Sequence, residues 1–599
     1  MFSSRVVAAI DVGTHAIGFG WCVVSESNDE ARTRKIHFCN QWDDQPAATA
    51  KNLSAVIVDS NGDLVAWGFE ARRMWLMRAD SLKALGARYF AGFKMDLAVR
   101  PATGEEALPQ GSSAEGSSGD GDGVTERTGL QSPDEMTPSL LTMLLRQVVN
   151  KTRDQIEASG YDEDDIRWCL TVPAIWSDYQ KAVMRDVAKN AGLPGEDGRV
   201  LLSLEPESAA HYARLCGVNV VADPDAEGFD LMTPGARFMV VDCGGGTVDI
   251  TAYANDADGR MIEIGKSIGG RFGSDFLNRA FENEHLRDSL GGAEILDKVR
   301  EECPDALLHL VDQWERAKLH VTLDQDESVN LMIPSAIDRR LGAALRRRLA
   351  RRQDKVSDAI VLTPAHVHAL FDKVVPATLD LIETQLDEMD RTRGTDGLPQ
   401  VVLLVGGFSN SPYLQQAVKE RLGSRAMVLV PPNPDIAVLF GAAHFCYDPQ
   451  TRARRSRFTY GTESCRTFEE GADPQDFRYV SDEGRVLCQN TFAVFVQAGE
   501  TVPTEAEVAH VFTPVNKRQK SIRFDIYATN DPDPRYVTDE GSDKIGEVEI
   551  DIRSVMRFPR AERAVRVHMK FGETELKVRA EVIHTGQQVD ATVRFHSNY

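Results

Sequence analysis

Two stretches of the chain repeat one order of apolar and polar positions. An apolar run from Val6 to Ile10 ends in Asp11, a Gly13-Thr14 turn follows, and apolar residues return from Ile17 to Val24. Residues 237–253, RFMVVDCGGGTVDITAY, do the same. Phe238 to Val241 is apolar, Asp242 closes the run, a triple-glycine turn carries Thr247, and a second apolar run bears Asp249. Short apolar runs bounded by turn residues predict buried strands, so each stretch predicts a hairpin.

Between and beyond the hairpins the period changes repeatedly. Leu53 to Val65 predicts two short strands around Ser60-Asn61-Gly62, and Ser139 to Ile156 has apolar residues at helical spacing. Ile166 to Val172 reads as a strand, Ser177 as the N-cap of a helix to Ala191, and Val200 to Leu204 as a strand running into a helix from Ser208 to Leu215. Lys266 to Arg279 is a glycine-rich turn entering a helix, and Leu307 to Leu319 is helical. Thr363-Pro364 opens a helix that should continue to Met389. Val401 to Val405 is a strand ending in Gly406-Gly407, and Pro434-Asp435 opens the helix through Gly441. Such alternation predicts mixed sheets covered by helices. After about Arg457, period-two alternation takes over, as in Ile522, Phe524, Ile526 and in Val565, Val567, Met569. This predicts a separate antiparallel β domain, with a hairpin turn near Gly572.

A length of 599 residues is too long for one core, and 42% hydrophobic with 27% charged residues is a globular composition. No run of about 18 apolar residues is present to span a bilayer. The opening MFSSRVVAAIDVGT leaves no room for a secretory signal peptide, which places the protein in the cytoplasm, with the nucleus as the alternative. Nine cysteines without metal-type spacing fit reduced thiols, and Cys243 reads as a small apolar filler. A net charge of −23 argues against a nucleic-acid surface. Two basic runs stand out, residues 339–352 (RRLGAALRRRLARR) and 452–457 (RARRSR), and each reads as a solvated face or connector. Residues 111–123 (GSSAEGSSGDGDG) have nothing to bury and predict a mobile surface insertion.

The repeated pattern carries candidate chemistry. Successive glycines let N–H groups converge on an anion, as a phosphate cradle requires. Carboxylates beside a phosphate would repel it directly, so their natural role is to hold a hydrated magnesium ion. A glycine run alone is an ordinary tight turn, but two copies point to two related lobes facing one phosphate tail.

Seven segments together resemble a family: IDVGT (10–14), TVPAIWSDYQ (171–180), LEPESAA (204–210), VVDCGGGTVDI (240–250), WERAKL (314–319), LLVGGFSNSPYLQ (403–415) and NPDIAVLFGAA (433–443). In this order they resemble the 70-kilodalton heat-shock chaperones of the actin-like ATPase superfamily. FKM (93–95) and RRSRFTYG (454–461) resemble the divergent heat-shock 70 kDa protein 12 branch. The resemblance implies an α/β fold: a two-lobed actin-like ATPase domain over 1–456, with duplicated mixed sheets, a mobile insertion at about 102–134 and a basic helical insertion at about 336–356. A C-terminal antiparallel β-sandwich over 457–599 would follow, without a helical lid. It implies ATP or ADP with magnesium. Asp11 and Asp249 would orient the metal through water, Asp242 would be a third carboxylate and proton acceptor, and Glu205 would position the attacking water. Gly13, Thr14, His15, Gly244, Gly245, Gly246, Thr247 and Gly273 would surround the phosphates, Glu315 and Lys318 the ribose, and Gly406, Gly407, Phe408, Asn410 and Asp435 the adenosine.

Several residues depart from the family pattern. Leu319 and Asn410 stand where two adenine-stacking arginines are typical, and Lys181 stands for a relay arginine. The lysine that typically reaches the γ-phosphate has two candidates, Lys83 and Lys94, and polar RARRSR replaces a hydrophobic linker. Three functions therefore compete: a chaperone-like weak ATPase with extended polypeptide clients or a signalling partner, a nucleotide-sensing scaffold with negligible turnover, and a small-molecule kinase.

Overall fold

The computed structural model describes residues 4–24, 34–98, 133–195, 198–220, 229–391, 398–571 and 575–591. The insertion at 111–123 and the turn near Gly572 lie outside them. Two sheets share one plan. In the first, β1 (Val6–Val12) pairs antiparallel with β2 (Ala16–Val23) and parallel with β3 (Ile166–Val172), which pairs parallel with β4 (Val200–Leu204). Helix α1 (Glu205–Cys216) leaves the end of β4. The second sheet repeats this order. Strand β5 (Arg237–Cys243) pairs antiparallel with β6 (Val248–Asn255) and parallel with β7 (Gln400–Val405), which pairs parallel with β8 (Met427–Val430).

The central strands are apolar on both faces because helices cover both sides. Every residue of β1 and β7 is buried, and so is the apolar part of β5. Helix α2 (Ala437–Tyr447) crosses α1 so closely that a Cβ on Gly441 would lie 1.6 Å from the Ser208 carbonyl oxygen. No side chain fits there, so the two lobes meet backbone to backbone.

The helix expected from Thr363 to Met389 is instead two, Pro364–Phe371 and Val375–Arg391. Pro376 has no N–H and its ring clashes with the carbonyl four residues earlier, so the chain breaks at Asp372 and restarts. The basic helix Ser335–Arg352 is bent at Gly342 (φ 57°) and buries Ile337, Leu345 and Leu349. Its arginines bond locally, Arg340 to Glu302 and Arg346 to Asp338, as a solvated face should.

The second basic run is a strand, and only part of it is solvated. Residues Thr451–Arg455 form β9, which pairs parallel with Met261–Glu263 and antiparallel with Thr501–Pro503. Arg452 stays exposed, but Arg454 is buried, and its guanidinium donates to Glu207 Oε2 at 2.6 Å. Glu207 is 1% exposed and also accepts from Thr451. Burial with a partner on a neighbouring helix is what a basic composition alone concealed. Glu263 lies in the same layer. Burial pushes its carboxyl up to about 7 against the pull of Arg454. The extra stability of the protonated form is present below the unfolded value near 4.5 and lost as pH rises through about 7. Glu263→Gln is therefore expected to raise the melting temperature more at pH 8 than at pH 5, and an equal gain at both would refute the assignment.

Beyond β9 the strands are all antiparallel. One sheet runs Arg478–Val480, Val486–Val496, Thr459–Thr467, Ser521–Thr529, Ser542–Asp551, and another runs Glu507–Phe512, Val565–Lys570, Lys577–Val582, Gln587–Ala591. Ile522, Phe524 and Ile526 of the first share a buried core with Val565, Val567 and Met569 of the second. The register slips at Ile526/Tyr527, which explains why Ile545 and Val548 break the period-two spacing.

Candidate functional site

Both hairpins bring their turns to one cleft. A Cβ on Gly246 would lie 2.9 Å from Thr14 Oγ1 and 2.2 Å from Met95 Sδ, and one on Gly245 would lie 3.3 Å from the His15 Cβ. The glycines are therefore required by close approach of the opposite lobe as well as by the turn. The carbonyls of Gly244, Gly245 and Gly246 accept from the N–H groups of Ser274, Asp275 and Gly273. A Cβ on Gly273 would clash with the Gly245 carbonyl at 2.1 Å, which fixes glycine there too.

Four carboxyls gather at the strand ends. Asp11 closes β1, Glu205 opens α1 after β4, and Asp242 faces Asp249 across the β5–β6 register. All are buried. Asp11 Oδ1 accepts from Thr171 Oγ1 at 2.6 Å, and its Oδ2 pairs with Lys51 Nζ at 2.6 Å. Burial alone would raise Asp11, but Lys51 and Thr171 hold it below the usual carboxylate value. Glu205 pairs with Lys94 Nζ at 2.7 Å. Burial outweighs that lysine and pushes Glu205 up to about 7. Burial, with Glu205, Asp249 and Asp11 alongside, holds Asp242 well above its ordinary value. Asp249 is raised by burial, against the opposing pull of Thr247 and of the Ile175 and Ala174 N–H groups; its Oδ1 accepts from Ile175 N at 3.0 Å, and its Oδ2 is buried.

Of the two lysine candidates, Lys94 reaches this cluster and Lys83 does not. Lys83 lies on the surface and donates to the Glu301 carbonyl. The spacing from Gly68 could not separate them, because the loop that returns Phe93–Ala98 to the cleft is a tertiary feature.

Toward the cleft mouth, Glu315 sits in the last turn of helix Pro304–Ala317 and accepts from Asn278 Nδ2 at 2.8 Å. Lys318 Nζ donates to Asn278 Oδ1 and the Ser274 carbonyl. His15, from the opposite lobe, comes within 3.8 Å of Glu315. Where the resemblance would place adenosine, Gly406 (φ 86°) has Asp242 Oδ1 where a Cβ would stand, at 2.4 Å, so only glycine fits. Gly407 faces open space and Asn410 is exposed. Asp435 presents its backbone carbonyl to Lys51 Nζ at 2.6 Å. The Phe408 ring is 2% exposed and packs near Phe371 in the core. A motif position next to exposed residues carries no information about which way an aromatic ring turns.

Three features escaped the sequence. Lys51 had no motif to mark it. Thr171 lay inside a motif but without a role. The third is a path out of the cleft: the Ile175 N–H serves Asp249, while the Ile175 carbonyl accepts from Arg457 at 2.6 Å. Nearby, Tyr460 Oη donates to Asp178 Oδ2 at 2.9 Å, and Arg185 pairs with Glu575 of the C-terminal sheets at 2.7 Å. Lys181 pairs with the same Asp178 at 3.3 Å.

Fold and cleft together define a mixed α/β protein in which two like sheets present paired acidic, glycine-rich turns to each other. The whole chain aligns with human heat shock 70 kDa protein 12B at 27% identity, covering 92% of that protein. Human and mouse heat shock 70 kDa protein 12A are also 27% identical, over 99% and 98% of this chain and 92% and 91% of theirs. The resemblance to the heat-shock 70 kDa protein 12 branch read from the motifs thus holds from end to end. A family described as "Domain of unknown function (DUF8340)" matches residues 234–431, the segment from the second hairpin to β8. No helix among the described residues is long and apolar enough to cross a membrane.

Proposed function

We propose that this is a chaperone-like protein of the actin-like ATPase kind. It binds ATP with magnesium between its two lobes, hydrolyses it slowly, and uses the nucleotide state to control a β-sandwich domain at 457–599 that takes extended polypeptide. The observation that carries this is the close approach of the two acidic, glycine-rich turns, with Gly246 set against Thr14. Glycine-rich turns and buried carboxylates at one point are what a triphosphate and its counter-ion require.

The donor set fits a hydrated magnesium ion at Asp249 and Asp242, which face each other across the hairpin, and no lysine or arginine pairs with Asp249 among the described residues. When bound, magnesium would supply neutralising charge for phosphoryl transfer. The chain's own residues do the rest. Glu205, fixed by Lys94, orients a water and takes its proton, and its raised pKa near 7 suits a general base. Glu315 and Lys318 hold the ribose, and Gly406 lets the backbone approach the nucleotide. The link from Asp249 through the Ile175 peptide to Arg457 supports coupling of the cleft to the C-terminal sheets.

Leu319 and Asn410, in place of stacking arginines, keep the scaffold reading open. Titration calorimetry of the intact chain with ATP in magnesium buffer is expected to give one site per chain, followed by slow single-turnover release of phosphate. Absence of ATP binding would sink the proposal, binding without turnover would leave a nucleotide-sensing scaffold, and stimulation by a sugar would indicate a kinase.

A further inference from the structure

Lys51 stands in the cleft where none of the motifs places a cation. It lies on the short strand Lys51–Leu53, which pairs with β2 so that Lys51 is opposite Gly18. Glycine there makes room for the lysine stem, since a Cβ on Gly18 would be 2.9 Å from Lys51 Cγ. The stem runs inward, and the side chain is 16% exposed. Its ammonium ends 2.6 Å from Asp11 Oδ2 and 2.6 Å from the Asp435 carbonyl oxygen. The one ammonium therefore holds both a first-lobe carboxylate and the loop that follows β8 of the second sheet.

This changes what Asp11 offers to a metal. Both of its oxygens are engaged, Oδ1 by Thr171 and Oδ2 by Lys51. Asp249, its counterpart on the second hairpin, is different: its Oδ2 is buried and no ammonium pairs with it among the described residues. The two hairpins are alike in pattern but unlike in electrostatics. One carboxylate is neutralised by a tethered ammonium and the other is left for a dissociable ion. Lysine is a compact point charge that binds phosphate as well as carboxylate, and a tethered one loses no translational freedom when nucleotide arrives.

We infer that Lys51 is a built-in cation that takes over part of the role of magnesium at Asp11, so that nucleotide binding by this chain depends only weakly on divalent metal. The inference rests on the nucleotide reading above and deepens it. Lys51 is a positioning residue here. It joins the two lobes and balances the charge of the phosphate end without touching the reacting bond.

The test is equilibrium binding of ATP to the intact chain, in excess magnesium and in EDTA, for the wild type and for Lys51→Met. Wild-type affinity is expected to fall by less than about threefold on removal of the metal, whereas Lys51→Met should lose about tenfold or more in EDTA while staying near wild type in magnesium. A wild type that loses about tenfold or more in EDTA overturns the inference, because the contact with Asp11 would then be one that magnesium simply displaces. That comparison needs no variant and stands even if Lys51→Met fails to fold. Equal metal dependence of the two proteins overturns it as well. Absence of ATP binding by the wild type in both buffers overturns the nucleotide reading and this inference together, whereas strict magnesium dependence overturns this inference alone.

Discussion

Glu205→Gln is expected to slow single-turnover ATP hydrolysis by about a hundredfold or more while leaving ATP affinity nearly unchanged. Glutamine keeps the shape of the side chain and a carbonyl oxygen for Lys94, which lies 2.7 Å from Glu205 in the wild type. What it removes is the group that takes a proton from water. The wild-type rate should also fall as pH is lowered through about 7, where Glu205 takes up its proton, and the variant should be flat over that range. Rapid-quench measurement at several pH values reads both effects. Equal rates for the two proteins would mean that Glu205 is a buried partner of Lys94 and nothing more, and the scaffold reading would replace the ATPase.

A comparable effect on stability is expected at Arg454. Its guanidinium holds Glu207, a carboxylate with 1% exposure, inside the layer formed by β9 and α1. Removing one partner of a buried pair leaves an uncompensated charge, so Arg454→Met should cost about 3–5 kcal/mol. Pairing it with Glu207→Gln removes the stranded charge and should restore most of the loss. Thermal unfolding followed by circular dichroism compares the single and double variants. A single variant within about 1 kcal/mol of wild type would show that water reaches Glu207 and that the pair is effectively a surface one. A double variant no more stable than the single would locate the loss in packing of the arginine stem.

The arginine pair also bears on how the two halves of the chain communicate. Strand β9 joins the second lobe's sheet and pairs with Thr501–Pro503 from the C-terminal part. Arg457, just past it, bonds the carbonyl of the residue whose N–H serves Asp249. The Ile175 peptide thus touches both Asp249 and the residue just before the C-terminal sheets.

Much of this was written in the chain itself. Local patterns settle local structure: an apolar run ending in Asp, Gly and Thr forms the same hairpin at Val6–Val23 and at Arg237–Asn255, because strand burial and turn chemistry act over a few residues. The β-rich C-terminal part was legible for the same reason, apart from the bulge at Ile545. Orientation and long-range pairing were not legible. Whether Lys83 or Lys94 reaches Glu205, whether Phe408 turns to the cleft or the core, and whether RARRSR is solvated or half-buried all depend on partners more than 30 residues away. Lys51 is the plainest case. Nothing near it marks it as part of a site, and only the pairing of its strand with β2, and the approach of the Asp435 loop from the other lobe, put an ammonium against Asp11. Sequence determined which groups could make an acidic, glycine-rich cleft, and the tertiary structure decided which charges it would hold, because electrostatics acts through space and the order of the chain does not record it.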